Sequence, residues 1–138
     1  MAVQVYFNFA GNCKEAVEYY TGIFETEEPK MMLFGDMPVE PGYPMTDEMK
    51  KLVLHAELTI NDSVVMFSDT LPGMDFVVGN NINLLFNGKS EAEIKSLFNK
   101  LAMDGTITME LQATFWSKCY GALIDKYGVN WMFGLASE

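Results

Sequence analysis

Two stretches decide the fold of this chain: FAGNCKEAVEYYTGIF at residues 9–24 and FNGKSEAEIKSLFNKL at residues 86–101. Each starts where an alternating apolar segment ends, passes through a glycine, and continues with apolar residues at helical spacing. An offset of 77 residues aligns Phe9 with Phe86, Gly11 with Gly88, Val17 with Ile94, Tyr20 with Leu97 and Phe24 with Leu101. This self-similarity indicates an internal duplication of one structural unit.

The first copy predicts a strand, a helix and three further strands. Val3 to Phe9 alternates apolar and polar residues, and a helix follows over 13–24, with Asn12 and Glu15 as a capping box. Lys30 to Phe34 is a short strand, and the prolines of 36–50 predict a long loop. LVLHAELTI and SVVMFSD, separated by Asn61 and Asp62, predict a hairpin with a two-residue turn.

The second copy repeats this order. A strand around Ile82 to Phe86 precedes a helix that Ser90 and Glu93 would cap and that Gly105 would end in a left-handed conformation. Strands are predicted at 107–114, 121–124 and 129–133. The sequence therefore predicts an α+β fold made of two βαβββ modules, residues 1–68 and 81–138, with a linker at 69–80.

The chain has 138 residues, which is the length of one domain, and we expect neither half to have enough apolar residues to be stable alone. We therefore expect the two modules to pack as a single domain over 1–138. If helices cover the apolar strand faces, the polar faces bring together Gln4, Tyr6, Asn8, His55, Glu57, Met66, Asn81, Asn83, Glu110, Gln112 and Met132. This polar set either faces water or lines a cupped sheet that binds a small ligand.

The net charge limits the expected partners, and the cysteine content indicates the cellular compartment. The formal net charge is −10, which disfavours nucleic acid and anionic membranes as partners. No apolar run is long enough to span a membrane. Cys13 and Cys119 lack the spacing of a zinc site or a disulfide framework, which predicts reduced thiols in a cytoplasmic protein.

The polar set contains a candidate catalytic pair. His55 is the only histidine, and Glu57 lies two residues on along the same strand face, where a carboxylate can orient an imidazole. The alternative is a histidine that only satisfies its own hydrogen bonds. Glu110 is either a site acid or a solvated residue. Phe115, Trp116, Tyr120 and Trp131 form either a wall for an aromatic ligand or part of the core.

Three segments resemble the PhnB-like family of the vicinal oxygen chelate superfamily. They are FAGNCKEAVEYY at 9–20, LHAELTINDSVVMFSD at 54–69 and LQATFWSKCYGALIDKYGVNWMF at 111–133, with TFW followed by DKYGVNW as the specific motif. The superfamily includes glyoxalase I, extradiol dioxygenases, and fosfomycin and bleomycin resistance proteins. The resemblance implies paired βαβββ modules, a cupped sheet, and a divalent metal held by one side chain from each of four strands.

The residues at the implied metal positions depart from that pattern. The positions fall near Gln4 or Val5, Met66, Asn81 and Met132, and thioethers and amides are poor ligands for a hard divalent ion. We therefore expect no cofactor, although a different metal site made of His55, Glu57 and Glu110 stays open. The family also bears a ubiquinone-pathway methyltransferase label, which we discount because no glycine-rich strand-to-helix turn that cradles a methyl donor is present.

These inferences give one functional hypothesis and one alternative. The hypothesis is a protein that binds a small, uncharged or cationic, partly aromatic molecule in its groove without the usual metal quartet, either sequestering it or using His55 and Glu57 as catalytic residues. The expected ligand-binding residues are Tyr6, Asn8, Asn81, Glu110, Gln112, Trp116 and Tyr120. The alternative is a metal-dependent lyase, isomerase or thiol transferase. The resemblance also implies a homodimer, in which the 36–50 loop would cover the groove or reach the partner subunit.

Overall fold

The computed structural model describes residues 2–38, 42 and 44–136, and these residues divide into two compact units at the boundary between Val77 and Val78. In the first unit the elements are β1 (Val5–Phe9), α1 (Cys13–Phe24), β2 (Lys30–Leu33), α2 (Asp47–Lys50), β3 (Val53–Ile60) and β4 (Ser63–Asp69), with a 3-10 turn at Phe34–Asp36. In the second unit they are β5 (Leu84–Gly88), α3 (Glu91–Ala102), β6 (Thr106–Gln112), β7 (Tyr120–Ile124) and β8 (Asn130–Leu135). None of the helices in the described ranges combines the length and the apolar character needed to cross a membrane.

Each unit contains one four-stranded mixed sheet with the same strand order. The first sheet runs β1-β4-β3-β2 and the second runs β5-β8-β7-β6. In each sheet the first strand of the unit pairs in parallel with the last strand, and the other pairs are antiparallel. The α+β class and the two βαβββ modules predicted from the sequence are therefore confirmed.

The structural alignment of the two units differs from the sequence alignment by one or two residues. Phe9 and Gly88 are equivalent, because their carbonyl oxygens accept matching hydrogen bonds from Thr70 N (2.7 Å) and Ala136 N (2.8 Å). The helices begin at residues 13 and 91, so their offset is 78 and that of the first strands is 79. The matching Phe and Gly residues of the two copies predict an offset of 77. The structural equivalence of the two units is set by packing instead.

Each unit has its own aromatic core beneath its helix. Phe67 is 1% exposed, and its ring lies 5.9 Å from the ring of Phe7 and 6.1 Å from that of Tyr20 on α1. Phe133 holds the equivalent place in the second unit, and it is 0% exposed, with its ring centroid 5.7 Å from that of Phe98 on α3. Side chains buried to this extent contribute most of the hydrophobic stabilisation of a small unit.

Several local predictions need correction. Asn12 makes no side-chain cap to α1. Asp104, not Gly105, adopts a positive φ after α3, and Gly105 is needed because a Cβ there would lie 2.5 Å from the carbonyl oxygen of Ile124. The predicted 36–50 loop contains the end of the 3-10 turn and all of α2, while its residues 39–41 and 43 lie outside the described residues.

The predicted hairpin is confirmed. Ile60 pairs with Ser63, and the two residues between them, Asn61 and Asp62, have φ values of 49° and 69°. Asparagine and aspartate tolerate this left-handed conformation better than most residues, which is why the pair gives a strong turn signal in the sequence. The hairpin places β3 directly beside β4, and so brings their polar side chains onto one face.

Candidate functional site

The first sheet has one face packed against α1 and one face turned away from it. Ala56, Leu58, Val65 and Phe67 point toward α1 and are buried. The strand register places the alternate residues on the other side of the sheet. We call this side the first open face, and its residues are Tyr6, Asn8, Lys30, Met32, His55, Glu57, Met66 and Ser68.

Three side chains of the first open face form a connected row. Tyr6 Oη lies 3.3 Å from His55 Nδ1, and His55 Nε2 lies 3.4 Å from Glu57 Oε1. The rings of Tyr6 and His55 are 5.7 Å apart and tilted by 42°. The side chains of His55 and Glu57 are 40% and 37% exposed, so the row is accessible to a molecule from solution. Both distances lie at the long end of the range for hydrogen bonds between side chains.

Residues on either side of the row define its surroundings. Met66 lies between the ends of the row, because its register partners are Tyr6 on β1 and Glu57 on β3. Lys30 is the register partner of Glu57 on the opposite side, so one positive and one negative side chain lie across this rung. Ser68 Oγ donates a hydrogen bond of 3.0 Å to Asn8 Oδ1. The predicted residues Tyr6, Asn8, His55 and Glu57 therefore share one face.

The other predicted ligand-binding residues belong to the second unit. Gln112 on β6 and Tyr120 on β7 are register partners, and the Trp116 ring lies 5.4 Å from that of Tyr120 in an edge contact. Glu110 is exposed on β6, and its carbonyl oxygen accepts a hydrogen bond of 3.1 Å from Gln112 Nε2. Asn81 lies before β5 and is exposed.

One aromatic residue does not belong with Trp116 and Tyr120. Trp131 is buried in the core of the second unit, where its Nε1 donates a hydrogen bond of 2.9 Å to Asp125 Oδ2. Asp125 Oδ1 also accepts hydrogen bonds from the backbone of Tyr127 and Val129. Within the DKYGVNW motif, the aspartate and the tryptophan therefore stabilise a turn and the core.

The metal positions implied by the sequence resemblance carry unsuitable side chains. In the parallel strand pairs, Tyr6 lies beside Met66, and Leu85 lies beside Met132, so neither Gln4 nor Asn81 is the strand neighbour. Thioether, phenol and aliphatic groups do not form a site for a hard divalent ion. Among residues 2–38, 42 and 44–136, no group of three or more His, Cys, Asp or Glu side chains is placed to hold a metal.

Asp69 organises the turn before α1, and the sequence analysis missed this role. It is 6% exposed; its Oδ1 accepts hydrogen bonds from the backbone of Gly11 (2.9 Å) and Cys13 (3.0 Å), and its Oδ2 accepts one from Val53 (2.9 Å). A carboxylate at the start of a helix satisfies unpaired amides and interacts favourably with the helix dipole. The amides of Gly11, in the turn, and of Cys13, the first residue of α1, are therefore already bound to the protein's own carboxylate.

Because of the Cys13 thiol, we expect the free energy of unfolding to fall at alkaline pH. Both cysteines are buried and free, and burial, followed by the negative charge of Asp69, raises the pKa of the Cys13 thiol from 9.0 to about 12. The folded chain therefore keeps this proton while the unfolded chain loses it, so stability is present below pH 9 and is lost as the pH rises from 9 to 12. The loss is at most about 1.4 kcal/mol per pH unit.

Urea unfolding of the wild type and of Cys13→Ala at several pH values in this window measures the effect. Tyrosine and lysine side chains also titrate here, but they do so in both proteins. We expect the difference in stability between the two proteins to shrink as the pH rises above 9. A difference that stays constant from pH 8 to 11 would contradict the assignment to Cys13.

Comparison with known proteins gives a family and several relatives. Residues 2–133 match the family described as 3-demethylubiquinone-9 3-methyltransferase. Protein YjdN of Escherichia coli (strain K12) is 32% identical over 148 aligned positions, which cover 100% of this chain and 97% of YjdN.

Solved structures agree with this match. The crystal structure of protein PA1353 from Pseudomonas aeruginosa has a TM-score of 0.83 at 31% identity, and the PhnB protein from Bacillus cereus has a TM-score of 0.76 at 30% identity. In both cases 99% of this chain and 100% of the other are covered. The resemblance to the PhnB-like family is confirmed.

A more distant structure shows the wider fold. The glyoxylase/bleomycin resistance protein/dioxygenase domain from Frankia sp. EAN1pec has a TM-score of 0.64 at 13% identity and covers 99% of this chain and 98% of its own. At this identity the likeness concerns the fold alone. It agrees with the glyoxalase-like fold that the sequence predicted.

Proposed function

We propose that this chain, which belongs to the PhnB-like family described as 3-demethylubiquinone-9 3-methyltransferase, binds a small organic molecule on its first open face. The molecule is uncharged or cationic and partly aromatic. The observation that carries the proposal is the row formed by Tyr6, His55 and Glu57, in which three hydrogen-bonding side chains from two non-adjacent strands lie together on an accessible face.

The surroundings of the row support an aromatic ligand. Met66 is half-buried between Tyr6 and Glu57, and its thioether offers a polarisable surface for a ring. The Tyr6 side chain offers a second surface on the edge strand β1. Apolar surface beside a few polar groups is the usual composition of a site for a small molecule.

Charge supports the preference for neutral or positive ligands. Lys30 is the register partner of Glu57, so this pair of residues carries one positive and one negative charge. The chain as a whole carries a formal charge of −10, so its long-range field attracts cations and repels anions. A carboxylate or phosphate ligand would approach against this field.

Methyl transfer and hard-metal chemistry are not part of the proposal. Gly11 N and Cys13 N, two of the amides that this turn and the first residue of α1 could offer to a cofactor, donate to Asp69 instead. The strand pairs that would supply metal ligands present Tyr6, Met66, Leu85 and Met132. The proposal therefore rests on hydrogen bonding and apolar contact by the residues of the first open face.

Amide chemical shift mapping with three matched probes tests the proposal. Benzylammonium, benzyl alcohol and benzoate share a ring and differ in charge, and ligands of this size bind in the millimolar range. We expect the cation and the alcohol to shift the amides of β1, β3 and β4, with the cation binding at least as tightly as the alcohol and the anion binding weakest. The proposal fails if no probe shifts these amides at millimolar concentrations, or if benzoate binds most tightly.

A further inference from the structure

We infer that the hydroxyl oxygen of Tyr6 accepts a hydrogen bond from the bound molecule, so the ligand class is a small aromatic compound that carries an N–H or O–H donor. This inference rests on the proposed function and identifies the chemistry of its ligand. It follows from the direction of the hydrogen bonds along the row, which the side chains themselves determine.

Glu57 fixes which group donates in the first hydrogen bond of the row. A carboxylate only accepts hydrogen bonds, so the contact of 3.4 Å between Glu57 Oε1 and His55 Nε2 requires a proton on Nε2. In a neutral imidazole the other nitrogen, Nδ1, then has a lone pair and no proton. Glu57 therefore selects one tautomer of His55.

The tautomer determines what Tyr6 does. Nδ1 of His55 can only accept, so the contact of 3.3 Å to Tyr6 Oη requires the tyrosine hydroxyl to donate. A hydroxyl has a single proton, and that proton is now committed to His55. What Tyr6 Oη still offers to another molecule is its capacity to accept a hydrogen bond.

The hydrogen bonds already made within the row show which atoms remain available to a ligand. Tyr6 is 45% exposed on the edge strand β1, whereas both nitrogens of His55 already have partners within the row. A ligand with an N–H or O–H group finds an acceptor at Tyr6 Oη. A ligand that offers only acceptor atoms finds no available proton there. The row therefore selects for hydrogen-bond donors, and Tyr6 is its specificity-determining residue.

Two cationic probes separate hydrogen bonding from charge. Benzylammonium and benzyltrimethylammonium carry the same ring and the same charge, but only the first has N–H donors. We propose to measure the dissociation constants of both for the wild type, Tyr6→Phe and the control Tyr127→Phe, which removes a hydroxyl from the turn after β7 in the second unit. Amide spectra of each variant confirm that it is folded.

The expected result is specific to one probe and one variant. Tyr6→Phe should weaken benzylammonium binding about five- to tenfold, the effect of one lost hydrogen bond, and leave benzyltrimethylammonium binding unchanged. Tyr127→Phe should leave both constants unchanged. If both probes bind the first open face and Tyr6→Phe affects neither, the inference is overturned while the proposed function stands. If neither probe binds that face, the proposed function itself fails.

A direct measurement of the tautomer is an independent test. Two-bond proton–nitrogen spectra of the neutral imidazole should show Nε2 protonated and Nδ1 bare in the wild type. A proton on Nδ1 would reverse the direction of the row, make Tyr6 an acceptor toward His55, and overturn the inference even if Tyr6→Phe alters binding.

Discussion

Replacing Asp69 with alanine is expected to lower the free energy of unfolding by about 3–5 kcal/mol, because it removes a buried carboxylate that accepts three backbone hydrogen bonds. The amides of Gly11, Cys13 and Val53 would lose their partner together. Gly11 precedes α1, Cys13 is its first residue, and Val53 begins β3. The substitution therefore removes an acceptor on which the starts of two elements depend.

Urea denaturation followed by circular dichroism measures this loss, with Asp75→Ala as the control. Asp75 is exposed in the segment between β4 and β5, so its replacement changes the net charge by the same amount without removing a buried acceptor. We expect the control to stay within about 0.5 kcal/mol of the wild type. A loss for Asp69→Ala as small as that of the control would show that the carboxylate does not hold the turn.

Replacing Phe133 with alanine is expected to cost about 3–5 kcal/mol, the range for a large aromatic side chain removed from a well-packed core. Its ring contacts those of Phe86, Phe98 and Trp131, which come from β5, α3 and β8. The cavity would therefore lie where the helix meets the sheet of the second unit.

Phe115→Ala provides the matched control for the same chemical change. Phe115 lies in the same unit, but its side chain is 97% exposed, so its removal should change stability by no more than about 0.5 kcal/mol. Thermal and urea unfolding of both variants give the comparison. Equal losses for the two phenylalanines would contradict the assignment of Phe133 to the core.

Much of the fold could be predicted because the decisive signals are local. The helix over 13–24, the Asn61–Asp62 turn and the alternation of β3 are patterns of adjacent residues, and each is confirmed. The pairing of His55 with Glu57 is local as well, since residues two apart on a strand share a face.

The remaining features depend on residues that are distant in sequence. Tyr6 meets His55 across 49 residues, and Asp69 meets Gly11 across 58, so neither contact has a signature in a sequence window. Asn12 resembled a helix cap, but a carboxylate from β4 satisfies the start of α1 instead. The expected homodimer, the cytoplasmic location and the roles of Asn81, Glu110, Gln112, Trp116 and Tyr120 in ligand binding stay predictions.

The parallel pairing of β1 with β4 has a consequence for synthesis on the ribosome. Phe9 pairs with Asp69, so β1 emerges long before the strand that completes its hydrogen bonds. Until Asp69 leaves the exit tunnel, the nascent chain holds an unpaired β1 and an α1 without its carboxylate. The first sheet can therefore be completed only after β4 has been synthesised. The same order holds in the second unit, where β5 pairs with β8.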